Sequence, residues 1–244
     1  MRRVGFTLVE VMVSLGVIAL LLAILVPTLR GARKSAEEVV ALSNLRGIGV
    51  VFERYTQANR GFYPFIQSGS SLQIHPPGEA TGQSLSVNDP WVARYAWVTT
   101  MHEVAPWREH YATWVNRQPG RSVQPPWGDA LNGGFYPRWP SYEYSNSFVA
   151  DPGVWREGGP PSDPFKPQRA SSTAHPGAKV LVFDAWREYL RDPRVEARRG
   201  VLTADGAAAL RWDKDARAPV ANPLRGGEAL RYHDTKDGLL GVDF

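Results

Sequence analysis

The sequence contains no cysteine among its 244 residues, which excludes both a disulfide framework and a thiolate metal site. Its net charge is only +4, and lysine and arginine are not gathered into a stripe that could follow a phosphate backbone. We therefore predict no nucleic-acid partner. A serine nucleophile elbow and a phosphate-binding glycine loop are also missing, so the sequence does not predict an enzyme.

Charge is absent from a long segment near the N-terminus. No residue from 11 to 29 is charged, and roughly 19 residues at about 1.5 Å each are enough to cross a hydrocarbon core of about 30 Å. Glu10 stands just inside the edge of this segment. A carboxylate at that depth needs a partner or a route to water, although the helix macrodipole also favours an acid at a helix start.

Two ordinary explanations of this segment are a signal peptide and a simple membrane anchor. A signal peptide has an apolar core of roughly 7 to 15 residues and a small-residue cleavage site; here the core is longer, and residues 25–30 offer no such site. A simple anchor would place Glu10 near the headgroups. Orientation is not determined by charge, because basic residues flank the segment on both sides: Arg2, Arg3, Arg30, Arg33 and Lys34.

Residues 2–11 read Arg-Arg-Val-Gly-Phe-Thr-Leu-Val-Glu-Val. This segment, directly before an apolar helix, resembles the leader and cleavage site of type IV prepilins and type II secretion pseudopilins. The resemblance implies that prepilin peptidase cleaves after Gly5 and methylates the new terminal amine of Phe6. It also implies that Glu10 neutralises the amino terminus of a neighbouring subunit in a filament. Such a pairing would supply the cation that a buried acid requires.

The sequence beyond the apolar segment predicts a continuation of the same helix. Apolar residues recur at spacings of four and three and so form one stripe: Ala41, Leu45, Ile48, Phe52 and Tyr55. The helix is expected to end near Gly61, which gives one element of roughly 50 residues. Pro27 lies inside it and is expected to kink or loosen the preceding turn.

The clearest strands lie late in the chain. Residues 179–184 read as a buried strand, and residues 200–203 and 208–212 flank Asp205-Gly206, a tight-turn dipeptide typical of a hairpin. We predict an antiparallel sheet of at least three strands, covered by the apolar stripe of the helix, and hence an α+β protein.

The rest of the head is expected to be rich in loops. Residues 67–90, 118–140 and 151–168 are predicted to be loops, and residues 92–104 to contain helical turns. The nine tryptophans are expected mostly to fill a core that has few regular elements, with some left as contact anchors.

Three further segments add to the resemblance. Residues 42–49 and 59–64 are similar to a helix-end pattern of pseudopilin-like proteins, including those of planctomycetes, with Gly47 where that pattern has glutamine. Residues 201–206 resemble the hairpin near the end of the same proteins. The resemblance implies the α+β pilin fold, with a long N-terminal helix packed on an antiparallel sheet.

Cofactors are not predicted, apart from a weak calcium hypothesis. Asp234, Asp237 and Asp243 are closely spaced on a glycine-containing segment, and carboxylate oxygens are calcium ligands. The resemblance adds that major pseudopilins often bind calcium in a carboxyl-terminal loop. The spacing matches no established loop, however, and solvated carboxylates are the alternative. A second group, His102, Glu103, Glu109 and His110, fits no ligand spacing and is interpreted as surface residues.

These expectations divide the chain into a leader (1–5), a membrane-spanning and filament-core helix (6–30), an amphipathic continuation (31–60) and a periplasmic or extracellular head (61–244). The resemblance implies a structural subunit of a type II secretion pseudopilus or type IV pilus-like filament, made as a single-pass inner-membrane precursor. Its implied partners are prepilin peptidase, other pilin or pseudopilin subunits and an inner-membrane assembly platform. The alternatives are a minor type IV pilin for adhesion or DNA uptake, and an anchored binding protein that never polymerises.

Overall fold

A computed structural model of the chain describes residues 7–74, 83–86, 89–106, 110, 114, 140–184, 198–226 and 229–244. The chain divides into two compact units, Met1–Val40 and Ala41–Phe244. The predicted leader, including Gly5, lies outside the described residues, as does Phe6. Most of the predicted loop at 118–140 also lies outside them.

The long helix predicted from the sequence is confirmed. Helix α1 runs over Leu8–Ala58, 51 residues, with Pro27 inside it. It ends where the backbone enters the left-handed region, since Arg60 has φ 55° and Gly61 has φ 82°. The Gly61 N–H donates to the carbonyl of Thr56 at 2.7 Å, which closes the last turn in the manner of a glycine-terminated helix.

The second part of α1 provides the apolar stripe of the Ala41–Phe244 unit. Ala41, Leu45, Ile48 and Phe52 are at most 2% exposed, and Tyr55 packs beside them as a partly buried residue. Leu45, Ile48 and Phe52 join the core formed by the sheet, including Leu181, Val182 and Leu202. Burial of this stripe is the main source of stability for the helix here, because helical propensity alone contributes little.

A four-stranded antiparallel sheet forms the head. Its strands are β3 (Tyr142–Tyr144), β4 (Val180–Asp184), β5 (Arg198–Thr203) and β6 (Ala208–Trp212), in the order β3-β4-β5-β6. All five residues of β4 are buried, as its continuous apolar sequence predicted. The predicted β5–β6 hairpin is also confirmed, with Gly206 at φ 87° in its turn. The α+β architecture is therefore as predicted.

The interpretation of residues 67–90 as one loop was wrong. Strand β1 (Ser71–Ile74) pairs antiparallel with β2 (Gln83–Ser86) in a separate two-stranded sheet. Each strand has only four residues, and five of the eight residues are polar, so the alternation was too short to stand out from the surrounding serine, glycine and proline.

The helical turns predicted for residues 92–104 are present in shorter form. A single 3-10 turn over Pro90–Val92 leads into helix α2 (Ala93–Thr100). The Asp89 carboxylate caps the turn by accepting from the Trp91 N–H at 2.9 Å. Residues 151–168 are irregular apart from a 3-10 turn over Pro152–Trp155.

Aromatic side chains fill the core between α1, α2 and the sheet. The Phe52 ring lies 5.4 Å from Trp97 and 5.2 Å from Tyr144, centroid to centroid. The core interpretation of the tryptophans holds for four of the five described, since only Trp212 is exposed; the buried ones are Trp91, Trp97, Trp114 and Trp155. Trp107, Trp127, Trp139 and Trp186 lie outside the described residues.

Candidate functional site

The N-terminus of α1 holds Glu10 in a local hydrogen-bond arrangement. The backbone N–H and the hydroxyl of Thr7 both donate to Glu10 Oε2, each at 2.8 Å. The Glu10 N–H in turn donates to Thr7 Oγ1 at 3.3 Å. This reciprocal pairing is a capping box, in which a threonine and a glutamate three residues later satisfy the free N–H groups of a helix start. The acid thus has a partner within its own chain.

Next to this cap, α1 presents an uninterrupted apolar surface. An 18-residue window of the helix has a mean hydropathy of 2.8 with none of it buried, so the helix is long and apolar enough to cross a membrane. Its large apolar side chains are 45–75% exposed. They are Leu8, Val9, Val11, Met12, Val13, Leu15, Val17, Ile18, Leu20, Leu21, Leu22, Ile24, Leu25, Val26 and Leu29. A continuous surface of this kind requires lipid or another protein to cover it.

Pro27 does not interrupt the helix. Its ring removes the backbone donor that would normally reach the carbonyl four residues earlier. The neighbouring Thr28 hydroxyl donates to the carbonyls of Leu25 at 2.8 Å and Ile24 at 3.2 Å. Local softness before Pro27 stays a prediction.

Asp234, one of the calcium candidates, is completely buried. Its Oδ1 accepts from Trp155 Nε1 at 3.0 Å and from Asn222 Nδ2 at 2.8 Å. Its Oδ2 accepts from the Leu230 N–H at 2.7 Å and from the Arg225 guanidinium. Its four donors come from the Pro152–Trp155 turn, from Asn222 and Arg225 of one further turn, and from Leu230. The carboxylate therefore joins three segments of the head, and the interpretation of a solvated side chain was wrong for it.

Asp243, the second candidate, is also buried and meets Lys179. Lys179 Nζ lies 3.2 Å from Asp243 Oδ2 and donates to Ser147 Oγ at 3.0 Å, and it is fully shielded from solvent. A third donor bond from the ammonium reaches Thr235 Oγ1. Burial lowers the pKa of Lys179, while the Asp243 charge acts in the opposite direction. Asp243 was likewise wrongly interpreted as solvated.

Asp237, the third candidate, is exposed and pairs with Arg156 at 2.9 Å. Each of the three carboxylates therefore faces a different cationic side chain. Within the described part of the chain, no three histidine, aspartate or glutamate side chains are grouped so that they could hold a metal ion. The calcium hypothesis stays a prediction, and the partners of these carboxylates argue against it.

The described members of the histidine and glutamate group, His102, Glu103 and His110, do not form a cluster that could hold a metal ion. His102 and Glu103 lie in the turn that follows α2, and Glu109 is outside the described residues. The His110 ring stacks on Trp114 at a centroid distance of 5.1 Å and an interplanar angle of 17°. His110 therefore packs against a buried aromatic residue.

Sequence reasoning missed a bidentate ion pair at the edge of the sheet. Arg199 Nε and Nη2 donate to Asp213 Oδ1 and Oδ2 at 3.0 and 2.9 Å. Asp213 Oδ1 also accepts from the Tyr232 hydroxyl at 2.9 Å. Burial, and then the neighbouring Asp213 charge, raise the pKa of Tyr232. The pair fastens β5 to the turn that follows β6, and bidentate geometry makes it stronger than a single contact. Through the Tyr232 hydroxyl, the carboxyl-terminal segment (residues 229–244) is held to the same carboxylate.

A buried histidine, also missed, joins the same segment to β3. The Asn146 N–H donates to His233 Nδ1 at 3.2 Å, so Nδ1 is the unprotonated ring nitrogen. The other nitrogen, Nε2, lies 2.7 Å from Glu143 Oε2 and donates to it. The geometry fits a neutral imidazole. Burial lowers the pKa of His233 in agreement with this, and Arg94 and Arg225 act in the same direction while Glu143 opposes it.

We expect this histidine to make the head sensitive to acid. Because the folded-state pKa of His233 is lowered, its contribution to stability is complete above the ordinary value of 6.5 and is lost as pH falls below it. The free energy of unfolding should decrease by about 1 kcal/mol over the first pH unit below that value. Chemical unfolding of the full chain in detergent, followed by tryptophan fluorescence at several pH values, measures the slope.

His233→Gln is the test variant, and His175→Gln is its matched control because His175 is exposed. In the His233→Gln variant, the free energy of unfolding should lose most of its pH dependence above pH 4.5. Below that pH Glu143 also contributes, because its ordinary pKa is 4.5 and its pKa in the folded protein is lowered, since burial raises it less than the His233 hydrogen bond and nearby cationic side chains lower it. His175→Gln should keep the pH dependence. An unchanged slope in His233→Gln would assign the acid sensitivity to another group.

Two comparisons with known proteins agree with the resemblance that the N-terminal sequence suggested. Residues 2–26 match the prokaryotic N-terminal methylation motif. A stretch of 79 residues is 30% identical to type II secretion system core protein G of Aeromonas hydrophila. In these stretches the chain is similar to pseudopilins.

The similarity of the chain to that relative is partial. It covers 32% of this chain and 54% of the relative, so the chain spans about half the length of the curated relative it matches. No solved structure matches the chain. The long apolar helix and the downstream antiparallel sheet are consistent with the pilin fold that the resemblance implied. The methylation motif includes both Thr7 and Glu10, the two residues of the capping box.

Proposed function

We propose that this chain is a structural subunit of a type II secretion pseudopilus or of a related type IV pilus-like filament. It would be made as an inner-membrane precursor with its head in the periplasm, and it would perform no catalysis. The observation that carries the proposal is the bare apolar surface of α1 directly behind a matched methylation motif. Such a surface suits a helix that exchanges lipid contacts for contacts with other helices.

In this proposal prepilin peptidase cleaves after Gly5 and methylates the new amine of Phe6. The inner-membrane assembly platform then extracts the subunit and packs its apolar helix against those of neighbouring subunits. Glu10 Oε2 is already occupied by the two donors of Thr7. Oε1 is the oxygen that the proposal assigns to the Phe6 amine of a neighbour. Pairing across subunits would offset the cost of burying both charges.

Processing is the first test. When the full chain is co-expressed with a prepilin peptidase, its intact mass should fall by residues 1–5 and rise by one methyl group. Gly5→Val should remain uncut because a branched side chain replaces the residue before the cleaved bond. Gly16→Val is the matched control: an added Cβ at Gly16 meets no atom within 4 Å, so cleavage should be normal.

Retention of the first five residues beside an active peptidase would contradict the proposal, as would a processed protein that stays a lone subunit in cells with assembly machinery. Neighbouring genes would separate the two filament types. A secretion ATPase with an outer-membrane secretin indicates secretion, whereas retraction machinery indicates a pilus.

A further inference from the structure

The centre of the carboxyl-terminal loop, residues 235–243, is occupied by a lysine ammonium. Oxygens of three side chains converge on Lys179 Nζ: Ser147 Oγ at 3.0 Å, Thr235 Oγ1, and Asp243 Oδ2 at 3.2 Å. Thr235 also donates to Asp243 Oδ1, and Ser147 donates to the carbonyl of His233 at 3.0 Å. Convergent carboxylate and hydroxyl oxygens of this kind are what a hard metal ion would use.

Backbone contacts explain how the lysine reaches this position. Lys179 immediately precedes β4, every residue of which is buried. The Val180 N–H donates to Asp243 Oδ2 at 2.8 Å, and the Asp243 N–H donates to the carbonyl of Ala178 at 2.9 Å. The end of the loop therefore runs beside the start of β4, and the lysine side chain projects from that junction into the loop.

The loop is wound too tightly to tolerate larger residues at its glycines. A Cβ built on Gly241 would lie 1.9 Å from the carbonyl oxygen of Lys236, and one built on Gly238 would lie 2.7 Å from the Trp155 ring. Gly238 also has a left-handed backbone, with φ 54°. This winding brings Thr235 and Asp243 together and buries the Asp243 carboxylate, and a buried carboxylate is stabilised by a nearby cation.

We propose that Lys179 is the built-in cation of this loop, so that the loop keeps its fold without calcium. The inference goes beyond the proposed function and holds whether or not the chain assembles into a filament. It departs from what the resemblance to major pseudopilins implies, namely a calcium ion in the corresponding loop. The two other acids are matched in the same way, because Asp234 meets Arg225 and Asp237 meets Arg156. Each of the three carboxylates is thus paired with a cationic side chain of the protein.

The loop borders a cavity, so the effect of added calcium on it can be measured. A cavity of about 470 Å³ lies against it, and Asp234, Asp237 and Asp243 contribute to its lining. We expect thermal unfolding of the full chain in detergent, followed by tryptophan fluorescence, to give the same Tm in excess EDTA and in millimolar calcium. A clear rise of the wild-type Tm with calcium, reversed by EDTA, would overturn the proposal.

Lys179→Met tests the lysine directly. It keeps an unbranched side chain but leaves Asp243 buried without its cation, so Tm should fall by about 8 °C whether or not calcium is present. Lys166→Met is the matched control, since Lys166 pairs with Asp151 at the surface and is half-exposed; its Tm should hardly change. A Lys179→Met variant as stable as Lys166→Met would refute the role given to Lys179. If Lys179→Met does not accumulate, Asp243→Asn is the second variant, because it removes the charge and keeps an acceptor for the Val180 N–H. It should lower Tm both with and without calcium. An unchanged Tm in Asp243→Asn would contradict the proposal.

Discussion

Replacing Glu10 with valine is expected to leave membrane insertion intact and to reduce incorporation into filaments by at least about tenfold. Valine extends the apolar segment, so insertion is not impaired. Incorporation fails in the proposed mechanism because the Phe6 amine of a neighbour is left buried without its partner, at a cost of several kcal/mol. The measurement is the fraction of the processed variant recovered in sheared filaments, relative to the membrane fraction, in cells with the assembly machinery.

Glu10→Gln separates the capping role that the structure shows for this residue from the pairing role that the proposal assigns to it. The amide oxygen of glutamine can still accept from the N–H and hydroxyl of Thr7, since glutamine also serves in a capping box. It carries no charge for a neighbouring amine. If Glu10 acts by pairing with that amine, glutamine and valine should fail alike; if it only caps the helix, glutamine should behave as wild type.

Thr7→Val provides the complementary control. It removes the hydroxyl that donates to Glu10 and accepts from its N–H, but keeps the glutamate charge. A lost cap costs about 1 kcal/mol, so incorporation should fall much less than in Glu10→Val. Equal loss in Thr7→Val and Glu10→Val, together with normal incorporation of Glu10→Gln, would assign Glu10 to capping alone.

The features that could be predicted from the sequence are those carried by local patterns. The spacing of Leu45, Ile48 and Phe52 predicts a helical stripe because these positions recur at the helical period, and all three are buried. Asp205-Gly206 predicts the β5–β6 hairpin because this dipeptide suits a tight turn. The Glu10 capping box also lies within four residues, although its partner Thr7 was not recognised from the sequence.

The features that were missed depend on distant partners. Strand β3 has three residues, too few for an alternating pattern, and it exists because it pairs with β4 across a long intervening segment. His233 and Glu143 are 90 positions apart, and Lys179 and Asp243 are 64 apart. A sequence shows that these residues carry charge but not whether they are buried, and burial turns an ordinary surface acid into the centre of a network.

The largest loss of folding stability is expected for Asp234→Asn. The substitution changes almost no volume, so it creates no cavity. It replaces one carboxylate oxygen with an amide NH2 group that faces donors, and it removes the negative charge beside Arg225. Both oxygens of Asp234 are fully used by their four donors in a completely buried site. The free energy of unfolding should therefore fall by about 4 kcal/mol, equivalent to about 12 °C in Tm.

Asp237→Asn is the matched control, because it makes the same substitution three positions away in an exposed ion pair. The side chains of Asp237 and Arg156 are 40% and 47% exposed, so solvent already screens this pair and its loss should cost less than about 1 kcal/mol. Asparagine also tolerates the left-handed backbone of Asp237, which has φ 62°. Chemical unfolding of both variants in detergent gives the comparison. Equal and small losses would mean that the donors of Asp234 find other partners. The carboxyl-terminal segment would then be held chiefly by the Lys179–Asp243 pair and by the hydrogen bond from Tyr232 to Asp213.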